Sequence, residues 1–196
     1  MSKLRVGIIL GSTRPGRRGE QVANWVLDNA TKLRDDAEFE LVDLADFDLP
    51  LLDEPMPASS GIYEKAHTRT WSEKIASLDA FVFVTAEYNH VPSAALINAI
   101  DFLHREWNDK AAAIVSYGSS ASGLRAVEVL RLMLSESHIA HVRQNVAFSL
   151  MTDFEGFTVL KPGPQHEKHL DTMLDQLVAW GTALHGIRES KLPVAA

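Results

Sequence analysis

Apolar and polar positions along the chain follow two different periods. Short runs rich in Val, Ile, Leu and Phe have the length and composition of strands: "LRVGIIL" (4–10), "EFELVD" (38–43), "DAFVFVT" (79–85), "AAAIVSY" (111–117) and "HVRQNVA" (141–147). Between them lie segments with helical spacing, over about 19–34, 61–77, 92–105, 122–137 and 165–186. The first of these helices would bury Val22, Val26, Leu27 and Leu33, and the last Leu170, Met173, Leu174, Leu177, Val178 and Leu184. Strands that alternate strictly with helices predict an α/β fold, a parallel sheet covered by helices on both faces. Two stretches fit neither period, 44–60 and 153–164; Pro50, Pro55, Pro57, Pro162 and Pro164 argue against helix or central strand there.

Five strands and five helices in this order predict a flavodoxin-like, doubly wound five-stranded parallel sheet. The 196 residues suit one domain, placed at 1–187, with a tail over 188–196 that ends in "LPVAA" and is expected to be mobile. In such sheets ligands bind beyond the carboxyl ends of the strands, where strand order reverses. The segments to inspect are therefore 11–19, 86–92 and 118–123.

The first reads "GSTRPGRRG" and joins a strand to a helix N-terminus, where backbone amides and the helix dipole favour an anion. It begins with the glycine spacing of a nucleotide triphosphate loop, but Arg17-Arg18 stands where Lys and a hydroxyl residue are required, and the magnesium ligand is missing. Thr13 occupies the second glycine position of the dinucleotide fingerprint. A terminal phosphate remains: Ser12 and Thr13 offer hydroxyls, Arg14 and Arg17 charge, and the amides around Gly19 to Gln21 hydrogen bonds. The alternative is a solvated basic turn that caps a helix. The second segment, "EYNH" (87–90), puts an aromatic ring and an amide side chain before Pro92, in reach of a planar ligand or as an ordinary Asn turn. The third, "YGSSASG" (117–123), has small residues that let a ligand approach the backbone, with Ser122 as a candidate helix cap.

Composition narrows the chemistry. The net charge of −7 disfavours nucleic acid and anionic membranes as partners, so cationic function must be local. There is no cysteine, which excludes thiolate nucleophiles, disulfides and Cys-based metal centres. Of eight histidines, His166 and His169 share a helix face without a third ligand, so no metal is expected. Met1-Ser2-Lys3 carries no apolar signal core and no run is long enough to span a membrane, so the expected location is the cytoplasm.

Together, "GSTRPGRRGEQVANWV", "DLPLLDEP", "TAEYNHVPSAALINAIDFLHREW" and "SYGSSASGLRAVEVLRLML" resemble the NADPH-dependent FMN reductase family over roughly residues 4 to 150. The resemblance implies FMN, with its phosphate held by Ser12, Arg14, Arg17, Gly19 and the amides near Glu20 and Gln21. It implies a ring and ribityl site lined by Ala86, Glu87, Tyr88 and Asn89, and covered by Tyr117, Gly118 and Ser119. Ala86 stands where the family usually has proline, Ile97 where a lysine is common, and Ser122-Gly123 where a double glycine is usual. The implied activity is hydride transfer from NADPH or NADH to bound FMN and on to a quinone, azo, metal-ion or flavin acceptor; a flavodoxin-type electron carrier is the alternative. The flavin carries the chemistry, so no catalytic side chain is expected, and amides of 86–89 would meet the charge that develops on it. The resemblance also implies a homodimer, or a tetramer of such dimers, formed through 97–107, with Ile97, Ile100, Phe102 and Leu103 as its apolar positions.

Overall fold

A computed structural model describes residues 3–191. Strands β1 (Leu4–Leu10), β2 (Ala37–Asp43), β3 (Ala80–Ala86), β4 (Lys110–Gly118) and β5 (Ile139–Ser149) form one parallel sheet in the order β2-β1-β3-β4-β5. This is the flavodoxin-like order, and its reversal lies between β1 and β3. Helices α1 (Gly19–Leu33) and α5 (Pro164–Lys191) cover one face; α2 (Ala66–Ala76), α3 (Ala94–Asp101) and α4 (Leu124–Glu136) cover the other.

Alternate strand residues supply the two cores. Val6, Ile8, Val82, Val84, Ala113 and Val115 meet Val22 and Val26 of α1 and Leu170, Leu174 and Leu177 of α5. Ile9, Phe81, Phe83 and Ile114 meet Trp71, Trp107 and Leu130. Each large side chain so buried contributes roughly 1.5–3 kcal/mol. The expected stripes hold, with Leu27, Leu33 and Leu184 at their half-buried margins.

Three boundaries differ from the pattern. Helix α2 starts at Ala66 rather than 61, because the Glu54 carboxylate accepts from the amides of Glu64 (2.9 Å) and Lys65 (3.0 Å) and caps the chain there. Helix α3 stops at Asp101 rather than 105: the indoles of Trp71 and Trp107 donate to the carbonyls of Ala99 (2.8 Å) and Ile100 (3.1 Å), satisfying its last turn. The boundary at 187/188 falls inside α5, where Arg188 donates to Asp109 O and to Asp79, each at 2.7 Å. Residues 192–196 of the expected tail lie outside the described residues. The irregular stretch 153–164 contains a short antiparallel hairpin, β6 (Phe154–Glu155) and β7 (Val159–Leu160), and 44–60 holds two turns of 3₁₀-helix. Among the described residues no helix is long and apolar enough to cross a membrane.

Candidate functional site

The first loop leaves the sheet beside the reversal point, where Gly11 N donates to Val84 O at 2.9 Å. Ser12 is buried, with its hydroxyl 3.3 Å from the Tyr88 hydroxyl. Arg17 does not stand free. Its guanidinium donates to Ser12 O (2.7 Å), Asp43 (2.5 Å) and Glu20 (3.0 Å), so it braces the loop against β2 and α1. Its guanidinium faces two carboxylates, so in this arrangement it holds the loop. Among the described residues the Arg14 side chain makes no hydrogen bond or ion pair, and the Arg18 side chain bonds only the carbonyls of Gly16 (3.2 Å) and Phe157 (3.0 Å). Helix α1 begins without a side-chain cap, and the amides of Arg14, Gly16 and Glu20 donate to nothing among the described residues. Two guanidiniums without carboxylate partners beside an uncapped helix N-terminus give this part of an acidic protein the chemistry an anion would need.

The second loop is a tight hairpin. Tyr88 and Val91 exchange backbone hydrogen bonds of 3.0 and 3.1 Å around Asn89 (φ 52°) and His90 (φ 74°), the positive-φ pair of a type I′ turn. Glu87 N donates to Tyr117 O at 3.2 Å. The amides of Glu87 and Tyr88 are therefore already bonded, and those of Asn89 and His90, at the exposed tip, are the free ones. The Glu87 carboxylate, 6% exposed, turns away to α4 and accepts from Arg125 Nε (2.6 Å) and the Arg125 amide (3.2 Å). Arg125 Nη1 lies 2.8 Å from His90 Nε2. Glu87 thus caps α4 and fixes the hairpin, and neither its amide nor its carboxylate is left for a ligand.

At the third loop Tyr117 is buried and its hydroxyl has no hydrogen-bond partner. Burial, reinforced by the neighbouring Tyr88, pushes the phenol up to about 12 against the opposing pull of Ser12, Gly19 and Arg17, so it is a neutral donor at ordinary pH. Gly19 lets it approach: a Cβ there would lie 2.7 Å from the Tyr117 hydroxyl. Gly123, at φ 81°, is the N-cap of α4, and a Cβ on it would lie 2.8 Å from Ser116 Cβ. Ser122 is not the cap; its carbonyl accepts from Ser116 Oγ at 2.8 Å.

These loops enclose a cleft of about 340 Å³. Of the residues expected from sequence, Arg14, Arg17, Ala86, Glu87, Tyr88, Tyr117, Gly118 and Ser119 line it. Ser12, Gly19, Glu20, Gln21 and Asn89 do not: Ser12 lies beneath Tyr88, Gly19 packs under Tyr117, and Asn89 is at the turn tip. Glu20 is held by Arg17, and the Gln21 side chain is used on the β6–β7 hairpin, donating to Thr158 O (2.7 Å) and accepting from Leu160 N (2.9 Å). Gly16, Arg18, Leu150 and Phe157 line the cleft unforeseen. Gly16 and Arg18 could have been read from the basic loop; Leu150 and Phe157 come from segments without periodicity. His166, half of the histidine pair, stacks on Phe148 at 4.4 Å, and among the described residues no cluster of three or more metal-ligating side chains occurs.

The donors suit FMN. A phosphate would meet Arg14, Arg18 and the α1 amides, while the orphaned Tyr117 hydroxyl, in its water-poor recess, needs an acceptor that a ribityl or ring oxygen supplies.

Comparison with known proteins agrees with this chemistry. The family described as NADPH-dependent FMN reductase matches residues 4–153. An NAD(P)H-dependent FMN reductase of Schizosaccharomyces pombe is 42% identical over 121 residues, which cover 61% of this chain and 60% of that protein. Over 193 residues, covering 90% of this chain and 96% of the relative, a 2-hydroxy-1,4-benzoquinone reductase of a Burkholderia species is 27% identical. Among solved structures, the flavoenzyme NAD(P)H:(acceptor) oxidoreductase FerB of Paracoccus denitrificans superposes with a TM-score of 0.70 at 19% identity, covering 92% of this chain and 98% of that one. At that identity the likeness is one of fold.

Proposed function

The chain belongs to the NADPH-dependent FMN reductase family, and on that premise we propose that its cleft holds FMN, accepts hydride from NADPH or NADH, and returns the electrons to a small planar acceptor of the quinone class. The observation that carries this reading is the pairing, in one cleft, of the unpartnered Arg14 with the orphaned Tyr117 hydroxyl. When bound, FMN supplies the two-electron chemistry by taking hydride and releasing reducing equivalents. The protein supplies placement and electrostatics. Arg14 and Arg18 hold the phosphate end, and Arg17, locked to Asp43 and Glu20, keeps the loop in register. Tyr117 offers one hydrogen bond from a buried hydroxyl in the cleft wall. The relative that acts on a benzoquinone covers nearly the whole chain and supports that class of acceptor.

The test is anaerobic. Protein loaded with FMN is mixed with NADPH in a stopped-flow cell, and the yellow flavin absorption is expected to bleach far faster than that of free FMN. Tight FMN retention with an intact yellow band would replace the reductase with an electron carrier.

The homodimer belongs to the same reading; of the four side chains expected at it, Ile97 is half-buried and the other three face inward. Ile100, Phe102 and Leu103 are at most 3% exposed and packed in their own core. Apolar side chains stand outward on the adjoining loop: Leu51 is 83% exposed and Ile62 55%, with Leu52 and Met56 between them. Asn98 ties this loop to α3, accepting from Leu52 N at 2.9 Å and donating to Pro50 O at 2.7 Å. The partner that covers it is a second copy. Leu51→Glu is expected to shift the mass by light scattering from dimer to monomer with the melting temperature of the separated chain unchanged; a mutant that stays dimeric removes this loop from the interface.

A further inference from the structure

We infer that Phe157, on the strap formed by β6 and β7, is a ring-binding residue of the cleft, the wall against which the planar part of the flavin packs. The inference rests on the flavin reading above and concerns a residue beyond the segment the family match covers. Phe157 has φ 59°, the left-handed region, where a bulky L-residue is costly. Among the described residues the other non-glycine positions with positive φ are Asp48, Asn89, His90, Asp109, Ser122 and His138, all polar; Phe157 alone is apolar. Gly156 precedes it at φ 57°, so the turn holds two consecutive left-handed positions and gives glycine to one of them only.

The phenyl ring gains little inside the protein in return. It is 57% exposed, whereas Phe154 of the same strap is 5% exposed and anchors it in the core. Phe157 is one of the residues that line the cleft, with Arg14, Ala86, Tyr88, Tyr117 and Leu150. The strap is also held in place from behind. Arg18 donates to Phe157 O at 3.0 Å, Gln21 bonds Thr158 and Leu160, and Lys161 N donates to Asp153 O at 2.7 Å. Two of these anchors belong to the start of α1, the element that presents the phosphate site. Strained backbone that the surroundings over-determine, at an exposed aromatic residue lining a ligand cleft, is an arrangement for binding a flat partner.

The experiment uses the full chain and reads binding rather than turnover. FMN and riboflavin are each titrated into wild type, Phe157→Gly and Phe157→Trp, following quenching of flavin fluorescence, and the flavin-free proteins are melted. Because glycine relieves the left-handed strain, Phe157→Gly is expected to melt no lower than wild type. It should nevertheless bind FMN and riboflavin each about tenfold more weakly, with less quenching of the bound flavin, and Phe157→Trp should restore both. Wild-type affinity and quenching in Phe157→Gly would overturn the inference. So would a loss confined to FMN, which would put residue 157 at the phosphate, or a loss that tracks a lowered melting temperature. If wild type itself binds neither flavin, the reading of the cleft fails first and the inference with it.

Discussion

Arg14→Ala is expected to weaken FMN binding by about 10- to 150-fold, the equivalent of roughly 1.5–3 kcal/mol for a hydrogen bond to a charged group. Riboflavin binding should be nearly unchanged. The reason is the division of labour among the three arginines of the loop. Arg17 bonds Ser12 O, Asp43 and Glu20 whether or not a ligand is present, and Arg18 spends donors on Gly16 O and Phe157 O. Arg14 has no such partner and is exposed at the cleft, so its removal costs the folded protein little and the phosphate much. Arg17→Ala should behave in the opposite way, freeing Asp43 and loosening the loop, so that both flavins bind less well and the melting temperature falls. Parallel titrations of the two ligands decide the matter: equal losses of FMN and riboflavin in Arg14→Ala would mean that the loop does not hold the phosphate.

Lys110→Met is expected to stabilise the protein by a few kcal/mol at neutral pH, and to flatten its stability profile on the alkaline side. Lys110 opens β4 at the end of the sheet remote from the cleft. It is 5% exposed, donates from Nζ to Ile75 O at 2.7 Å, and lies over the Phe81 ring at 5.5 Å. Burial, helped by the nearby Arg188 and opposed by Asp79 and Glu106, lowers its amine from 10.5 to about 7. Between those values the unfolded chain binds the proton and the folded chain does not, so stability rises with pH through the window from about 7 to about 10.5. Below about 7 both states carry the charge and the full penalty of burying it remains. A methionine fills the same space without a charge to desolvate, at the loss of one hydrogen bond to Ile75 O. Urea melts at pH 6.5 and pH 9 check the sign: wild type should gain stability between them and Lys110→Met should not. A wild-type profile as flat as the mutant's would mean that the amine stays charged in the fold. The alkaline window must end before other groups titrate, and Tyr117, pushed up to about 12, lies outside it.

Most of the scaffold can be read from periodicity because the sheet is parallel and covered on both faces. A strand such as "AFVFVTA" must then be apolar throughout, and each intervening helix must bury a stripe, which leaves composition little freedom. The places where pattern and structure part are those where a remote residue decides a local boundary. Nothing within 61–65 says that Glu54 will cap α2 there, and nothing within 102–105 says that two indoles will close α3. The same holds at the site. "GSTRPGRRG" suits an anion by its glycines and charge, but three arginines in five residues look interchangeable until the fold gives one Asp43 as partner, another Phe157 O, and the third no polar partner among the described residues.

The sequence alone therefore determined the fold class and the three loops at the carboxyl edge, while FMN as their ligand entered through the family resemblance. The fold and the loops follow from local rules: side-chain period, glycine and proline geometry, and the amides of a helix start. Only the tertiary structure decided that, of the loop's three arginines, Arg14 has no side-chain partner among the described residues, that Glu87 caps α4, that Ile100 belongs to the core, and that Phe157 stands in the cleft. Each depends on contacts between residues far apart in the chain, where burial and pairing, which local pattern does not encode, set what a side chain is free to do.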